Sequence, residues 1–245
     1  EQQKLISQIY NRLHVYSRHQ VSMPLENKII MDYLNKSSQI ADAIQDDVMQ
    51  YVNYSDRGYL YYNLPLSDKN HVNTILYWQK ACNIYEKGNA EAKYINYLRK
   101  KTQLALLAGD SKKAVQDAEK GLEEIVMSPY AYQQTFFKWW FYHALAEAYL
   151  LCYKSENAED IEKSLERACF YSDLLESNKK FYYLQLKAVY MYYLGRYDDA
   201  IELNSEAIKQ LIENDAVFSS ILEEPQNNLY SQIHTTDGLF NLPCM

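Results

Sequence analysis

Glycine and proline are both scarce in this chain, whose 245 residues include only 6 Gly and 5 Pro. β-Sandwiches and doubly wound α/β folds usually contain more turn glycines, so the shortage favours long helices joined by short loops. The chain also lacks any run of 18 apolar residues, and we therefore predict no membrane-spanning segment. No N-terminal signal peptide is recognisable.

Motifs of catalytic and cofactor sites are missing as well. The four cysteines form no C-x-x-C pair, and no His/Cys cluster has the spacing of a zinc site. The G-x-S-x-G, P-loop and G-x-G-x-x-G motifs do not occur. His143 and Glu147 stand one helical turn apart and could share a metal, but the spacing suggests no third ligand. We therefore predict a protein that is not an enzyme and has no catalytic residue, cofactor or metal site.

The charge balance argues against nucleic acid as a partner. The formal net charge is −7, and the basic clusters at 99–101 and 112–113 have acidic residues not far away. A nucleic-acid-binding surface needs a basic stripe and usually a positive balance. We interpret these clusters as solvated helix surface. Cys82, Cys152 and Cys169 fall among apolar residues of helical spacing, which predicts that all three are buried.

The sequence is rich in tyrosine, and its apolar residues recur with helical spacing. Aromatic residues make up 14% of the chain, and 25 residues are tyrosine. Apolar residues recur every three or four positions at Leu5, Ile9, Leu13 and Tyr16, which predicts a first helix over about 2–19. Three further helices are predicted from Pro24 to a break near Asp46-Asp47, from there to about Tyr62, and from Ser67 or Asp68 to Gly88. Six later helices are predicted at about 90–108, 111–127, 130–154, 159–177, 179–194 and 197–214.

Two segments 86 residues apart repeat one pattern. Gly109 and Ala114 of LALLAGDSKKAVQDAEKGL correspond to Gly195 and Ala200 of MYYLGRYDDAIELNSEAI. The predicted helix pair at 130–177 occupies the space between them. A period near 43 residues with two helices per unit is typical of α-solenoids.

These segments resemble the tetratricopeptide repeat (TPR) family. The second half of that repeat reads approximately Gly-x-Tyr-x-x-Ala, and Gly195, Tyr197, Ala200 and the later Ala207 match it, whereas Asn204 replaces an aromatic residue. The sequence YHALAEAY at 142–149 resembles the first half. The resemblance covers 90–214 well, 47–89 less well and the rest poorly. It implies an all-α fold, a TPR-like right-handed α-solenoid of about 10–11 antiparallel helices.

We expect three parts along the chain. Residues 1–46 form an N-terminal helical pair that packs on the array, and residues 47–214 form the TPR-like repeats, about four helix pairs. Residues 215–245 form a short helix and an extended tail, because Pro225 and Pro243 interrupt regular structure there.

The resemblance also implies a binding surface, because the first helix of each repeat projects side chains into the concave face. The residues at these positions are Asn96, Arg99, Gln103, Trp140, His143, Glu147, Tyr182, Gln185, Tyr192 and Tyr193. Such a mixed aromatic and polar strip suits an extended peptide or a helix, with Arg99 available for a carboxylate. The alternative is that these residues are merely exposed or packed on one another.

The most apolar stretch, FFKWWFYHALAEAYLLCY at 136–153, has aromatic residues on every side of its predicted helix. A helix that is apolar all round is usually buried between neighbours. We interpret the stretch in that way, and the alternative is that Trp140 and its face line a groove.

The sequence thus predicts a non-catalytic protein–protein or peptide-binding scaffold, in one form the sensing region of a larger bacterial regulator. The chain begins with Glu1 rather than methionine, and we expect it to be a trimmed part of a longer product. The alternative is a small-molecule binding protein or enzyme, for example for sugars, with an aromatic-lined concave pocket. A homodimer through the helices of residues 1–45 is a further hypothesis. The default location is the cytoplasm, and the alternative is a bacterial periplasmic sensor region.

Overall fold

The computed structural model describes residues 1–20, 28–62, 67–88, 94–125, 131–175 and 180–214. Within these ranges the chain forms ten α-helices and one 3₁₀ turn, and it contains no strand. The helices are α1 (Gln2–Gln20), α2 (Lys28–Ala43), α3 (Asp47–Tyr62), α4 (Asp68–Glu86), α5 (Tyr94–Leu107), α6 (Ser111–Ile125), α7 (Ala131–Leu151), α8 (Ala158–Leu174), α9 (Lys180–Tyr193) and α10 (Tyr197–Asn214). The all-α prediction is confirmed for this part of the chain, and the predicted tail at 215–245 lies outside it.

The chain divides into two compact units, the first with α1–α4 and the second with α5–α10. In the first unit, α1 packs on α2, α2 on α3, and α3 on α4. The predicted N-terminal pair, α1 and α2, therefore shares a unit with the pair that follows it. In the second unit, each helix from α5 onward packs on the next. In addition, α5 contacts α7 and α7 contacts α9.

The turns after α5 and α9 are built in the same way. Gly109 has φ +70° and Gly195 has φ +74°, a conformation that side chains other than glycine rarely adopt. In both turns the N–H of the residue after the glycine donates to the carbonyl five residues earlier, with N···O distances of 2.9 Å. The predicted correspondence of the two glycines is therefore confirmed in the turns they form.

The turn between α2 and α3 makes the same bond without a glycine. The N–H of Asp46 donates to the carbonyl of Ala41 at 3.0 Å, and Gln45 takes the positive φ of 53°. A Cβ atom is disfavoured in this conformation, so Gln45 stores backbone strain at this turn.

Small residues allow large aromatic side chains into each unit. A Cβ at Gly58 on α3 would overlap the indole of Trp78 on α4, which is only 2% exposed. A Cβ at Gly121 on α6 would overlap the ring of Phe141 on α7, which is fully buried. In both pairs the glycine makes room for a ring that fills the space between two helices.

Helix α7 ends earlier than predicted. Its last residue is Leu151, and the 3₁₀ turn at Ser155–Asn157 leads into α8. Cys152 therefore lies in the turn and is exposed, so its predicted burial is wrong. Cys169 is only half-buried, and Cys82 is buried as predicted.

Candidate functional site

Helix α7 places three of its large aromatic side chains in the core. Phe137, Trp139 and Phe141 are at most 7% exposed, which confirms the predicted burial for these three residues, whereas Phe136, Trp140, Tyr142 and Tyr149 are only partly buried. Trp140 keeps partial exposure, and its ring meets that of Phe141 edge-on at 5.1 Å between centroids. The side of α7 that carries Trp140 therefore remains accessible.

Arg99 on α5 lies against the aromatic residues at the start of α7. Its Cζ is 4.9 Å from the ring centroid of Trp140, 5.2 Å from that of Phe136 and 5.7 Å from that of Phe137. A guanidinium over aromatic faces is attracted by the ring quadrupoles. Arg99 therefore joins α5 to α7, and its use for a partner's carboxylate stays a prediction.

His143 lies in an aromatic cluster between α7 and α9. Its ring is 5.8 Å from that of Trp139 and 5.9 Å from that of Tyr182, and Trp139 and Tyr182 are 5.7 Å apart. His143 is 8% exposed, as is Gln185, which lies three residues after Tyr182 on α9. The structure thus brings together His143 and Tyr182, which the sequence assigned to one face, although His143 is largely buried.

Glu147 follows His143 by one turn of α7 and has no hydrogen bond or ion pair within the described ranges. Its neighbours along the helix include Ala144 and Ala148, both essentially buried, which offer no polar side chain. Although the residue keeps partial exposure, burial raises the pKa of its carboxyl group to about 7. An acid of this kind is poised to ionise when a cation arrives.

The remaining predicted site residues lie at the margins. Asn96 and Gln103 are half-buried on α5, one turn before and after Arg99. Tyr193 stacks on Tyr153 at 5.1 Å with nearly parallel rings, so it is packed within the protein. Tyr192 is 57% exposed and meets the ring of Tyr197 on α10 at 5.5 Å. The part of the predicted strip whose residues lie close together in the structure is therefore its centre, around His143, Glu147 and Tyr182.

Two surface features were not predicted from the sequence. On α3 and α4, Tyr77 lies between Tyr54 at 6.2 Å and Tyr61 at 5.7 Å, with Arg57 and Lys80 over the rings. The seven-residue spacing of Tyr54 and Tyr61, two turns of one helix face, is a signal that could have revealed this stack.

The second feature is an open cleft of about 760 Å³ between α9 and α10. Its lining is mostly charged and includes Lys187, Arg196, Asp199, Glu206 and Lys209. These residues lie within 187–209, on two consecutive helices and the turn that joins them, so only the packing of α10 on α9 brings them around one cleft.

Neither a metal cluster nor a membrane span is found in the part of the chain that the structure describes. No group of three or more His, Cys, Asp or Glu residues there is placed to hold a metal ion. None of the helices described above is both long enough and apolar enough to cross a membrane.

Comparisons of this chain with protein-family models, with curated proteins and with solved structures found no match. The resemblance to the TPR family therefore stays a prediction, and the function is inferred from the geometry of the chain itself.

Proposed function

We propose that this chain is a non-catalytic scaffold of the TPR-like type, in which a face made by α5, α7 and α9 binds a protein or peptide partner. The packing order supports this proposal. Stacked helix pairs require each helix to contact the next and alternate helices to contact one another, and α5, α7 and α9 make contacts of both kinds. The two matching glycine turns, 86 residues apart, agree with such a repeat.

The observation that carries the proposal is the carboxyl group of Glu147. It lies partly buried on the accessible side of α7 without a partner among the described residues, one turn from the cluster of His143 and Tyr182. A carboxylate in such surroundings gains much from a charge-assisted hydrogen bond to an incoming cation. The aromatic rings beside it offer apolar surface for the rest of a side chain. A peptide with a lysine or arginine side chain supplies both kinds of contact.

Panning of a displayed random peptide library against the full chain tests this function. We expect enriched peptides to contain lysine or arginine, and we expect Glu147→Gln to weaken their binding by about tenfold or more. Glu123→Gln, which removes an exposed carboxylate from α6, is the matched control and should leave the affinity unchanged.

Two results would contradict the proposal. One is a library that yields no specific binder, and the other is binders whose affinity is the same for Glu147→Gln as for the wild type. If the chain bound sugars on a glycan array, and Trp140→Ala and Tyr182→Ala each abolished that binding, the alternative of a small-molecule binding protein would replace the peptide-binding proposal.

A further inference from the structure

Helix α1 turns two polar residues inward and exposes a row of apolar residues, beside exposed polar residues such as Gln8 and Arg12. Ser7 is fully buried and Asn11 is 8% exposed, whereas Leu5 is 58% and Ile9 49% exposed. Leu13 at 37% continues the exposed row. An amphipathic helix normally turns its apolar stripe to the core, so this orientation needs a cause.

Hydrogen bonds hold α1 in this orientation. Ser7 and Ser37 on α2 exchange bonds, since each hydroxyl reaches the carbonyl of the other residue, at 3.0 and 2.9 Å. The amide of Asn11 donates to the side chains of Asn53 at 3.2 Å and Asp56 at 2.9 Å, both on α3. Rolling α1 to bury Leu5 and Ile9 would leave these buried groups unpaired, which is costly. The apolar row is therefore fixed on the surface.

The row is symmetric along the helix. Leu5 and Leu13 lie four residues before and after Ile9, and Ile6, which is 37% exposed, lies beside them. If a second α1 packs antiparallel across a two-fold axis at Ile9, each Leu5 meets Leu13 of the other copy, and Ile9 meets Ile9. Such a self-complementary patch is what a two-fold homodimer contact requires.

We propose that α1 is a homodimer contact, in which two copies of this chain pack their Leu5, Ile9 and Leu13 rows antiparallel with Ile9 on the two-fold axis. The row between Leu5 and Leu13 is about 12 Å long, at 1.5 Å per residue. A patch of this size is small for a stable interface, so we expect a weak dimer that forms only at high protein concentration.

Sedimentation equilibrium of the full chain over a concentration series tests the contact. The wild type is expected to pass from monomer to dimer as its concentration rises into the hundreds of micromolar. Ile9→Glu should stay monomeric, because two carboxylates would face each other across the axis. Ile201→Glu is the matched control, since Ile201 is 66% exposed on α10, in the other unit, and this variant should dimerise like the wild type.

A mixing experiment tests the symmetry itself. Ile9→Lys alone should also stay monomeric, whereas an equimolar mixture of Ile9→Glu and Ile9→Lys should associate, since only unlike chains then place opposite charges on the axis. A defect in folding would not be reversed by mixing, so association of the mixture identifies the contact. A wild type that remains monomeric throughout, a dimer that survives Ile9→Glu, or a mixture that fails to associate would each overturn the proposal.

Discussion

The guanidinium of Arg99 lies over the indole of Trp140, with 4.9 Å between Cζ and the ring centroid. The two side chains come from α5 and α7, helices that are separated by α6 in the chain and touch in the fold. This pair links two of the three helices of the proposed binding face, so its strength affects the spacing between them.

We predict a measurable coupling between Arg99 and Trp140. In a double-mutant cycle of Arg99→Gln and Trp140→Leu, the coupling free energy of unfolding should be about 0.5–1 kcal/mol, because each change alone removes the same cation–π contact. Urea denaturation of the four proteins gives this value. The control cycle pairs Arg167→Gln with Trp140→Leu, since Arg167 is exposed on α8, and its two effects should be additive. Additive effects of Arg99→Gln and Trp140→Leu would refute the prediction.

Glu147 should make the stability of the second unit depend on pH. Its pKa is about 7 in the fold, above the value of 4.5 for an unperturbed glutamate. Between these values the folded state holds the proton and the unfolded state does not, so folding is favoured at low pH and this contribution falls as pH rises through 4.5 to 7. Because Glu147 keeps partial exposure, we expect the fall to be about 1–2 kcal/mol, less than full burial would give.

Urea denaturation of the wild type and Glu147→Gln at pH 5 and pH 8 measures this dependence. The variant should be more stable than the wild type by a larger margin at pH 8 than at pH 5. The control Glu123→Gln should follow the wild type at both values. An equal difference between wild type and Glu147→Gln at the two pH values would show that the carboxyl group is well solvated in the fold.

Gln45→Gly should stabilise the first unit. Gln45 has φ +53°, where glycine escapes the steric cost of a Cβ but loses more conformational entropy on folding. The net gain in unfolding free energy should be about 0.5–1 kcal/mol. Gln50→Gly, inside α3, is the contrasting substitution and should destabilise by a similar amount. A loss of stability in Gln45→Gly would mean that the side chain of Gln45 stabilises the turn.

Gly121→Ala should destabilise the second unit by about 1–3 kcal/mol. The new Cβ would overlap the ring of Phe141, which is fully buried and has no room to withdraw. Gly121→Ala combined with Phe141→Leu should cost less than the sum of the two single changes, because the smaller side chain vacates the space. Thermal or urea denaturation gives all three values, and strictly additive costs would show that the two residues do not compete for space.

Several features of this fold are predictable because they depend on short stretches of chain. The three- and four-residue spacing of apolar residues predicts the helices, and α10 begins and ends where that spacing indicates. Glycines at 109 and 195 mark turns because only glycine adopts positive φ without strain. The buried state of Phe137 and Phe141 follows from a helix with aromatic residues on all sides.

Other features were settled by residues far away in the chain. The spacing of Leu5, Ile9 and Leu13 predicted α1, but these side chains face outward, because Ser7 and Asn11 have hydrogen-bond partners on α2 and α3. Sequence periodicity identifies the two faces of a helix but does not reveal which face has partners.

Some features of the candidate site were likewise predictable from the sequence, and others depend on tertiary packing. The resemblance to a repeat family placed His143, Glu147 and Tyr182 on one face, and the contact of α7 with α9 brings His143 and Tyr182 together. It did not show that Arg99 would pack on aromatic rings or that Tyr193 would stack on Tyr153. The sequence by itself determined the helices and their turns, because backbone conformation and periodicity are local. The tertiary structure decided which polar and aromatic groups are satisfied internally and which remain for a partner, because that depends on the helices packed against them.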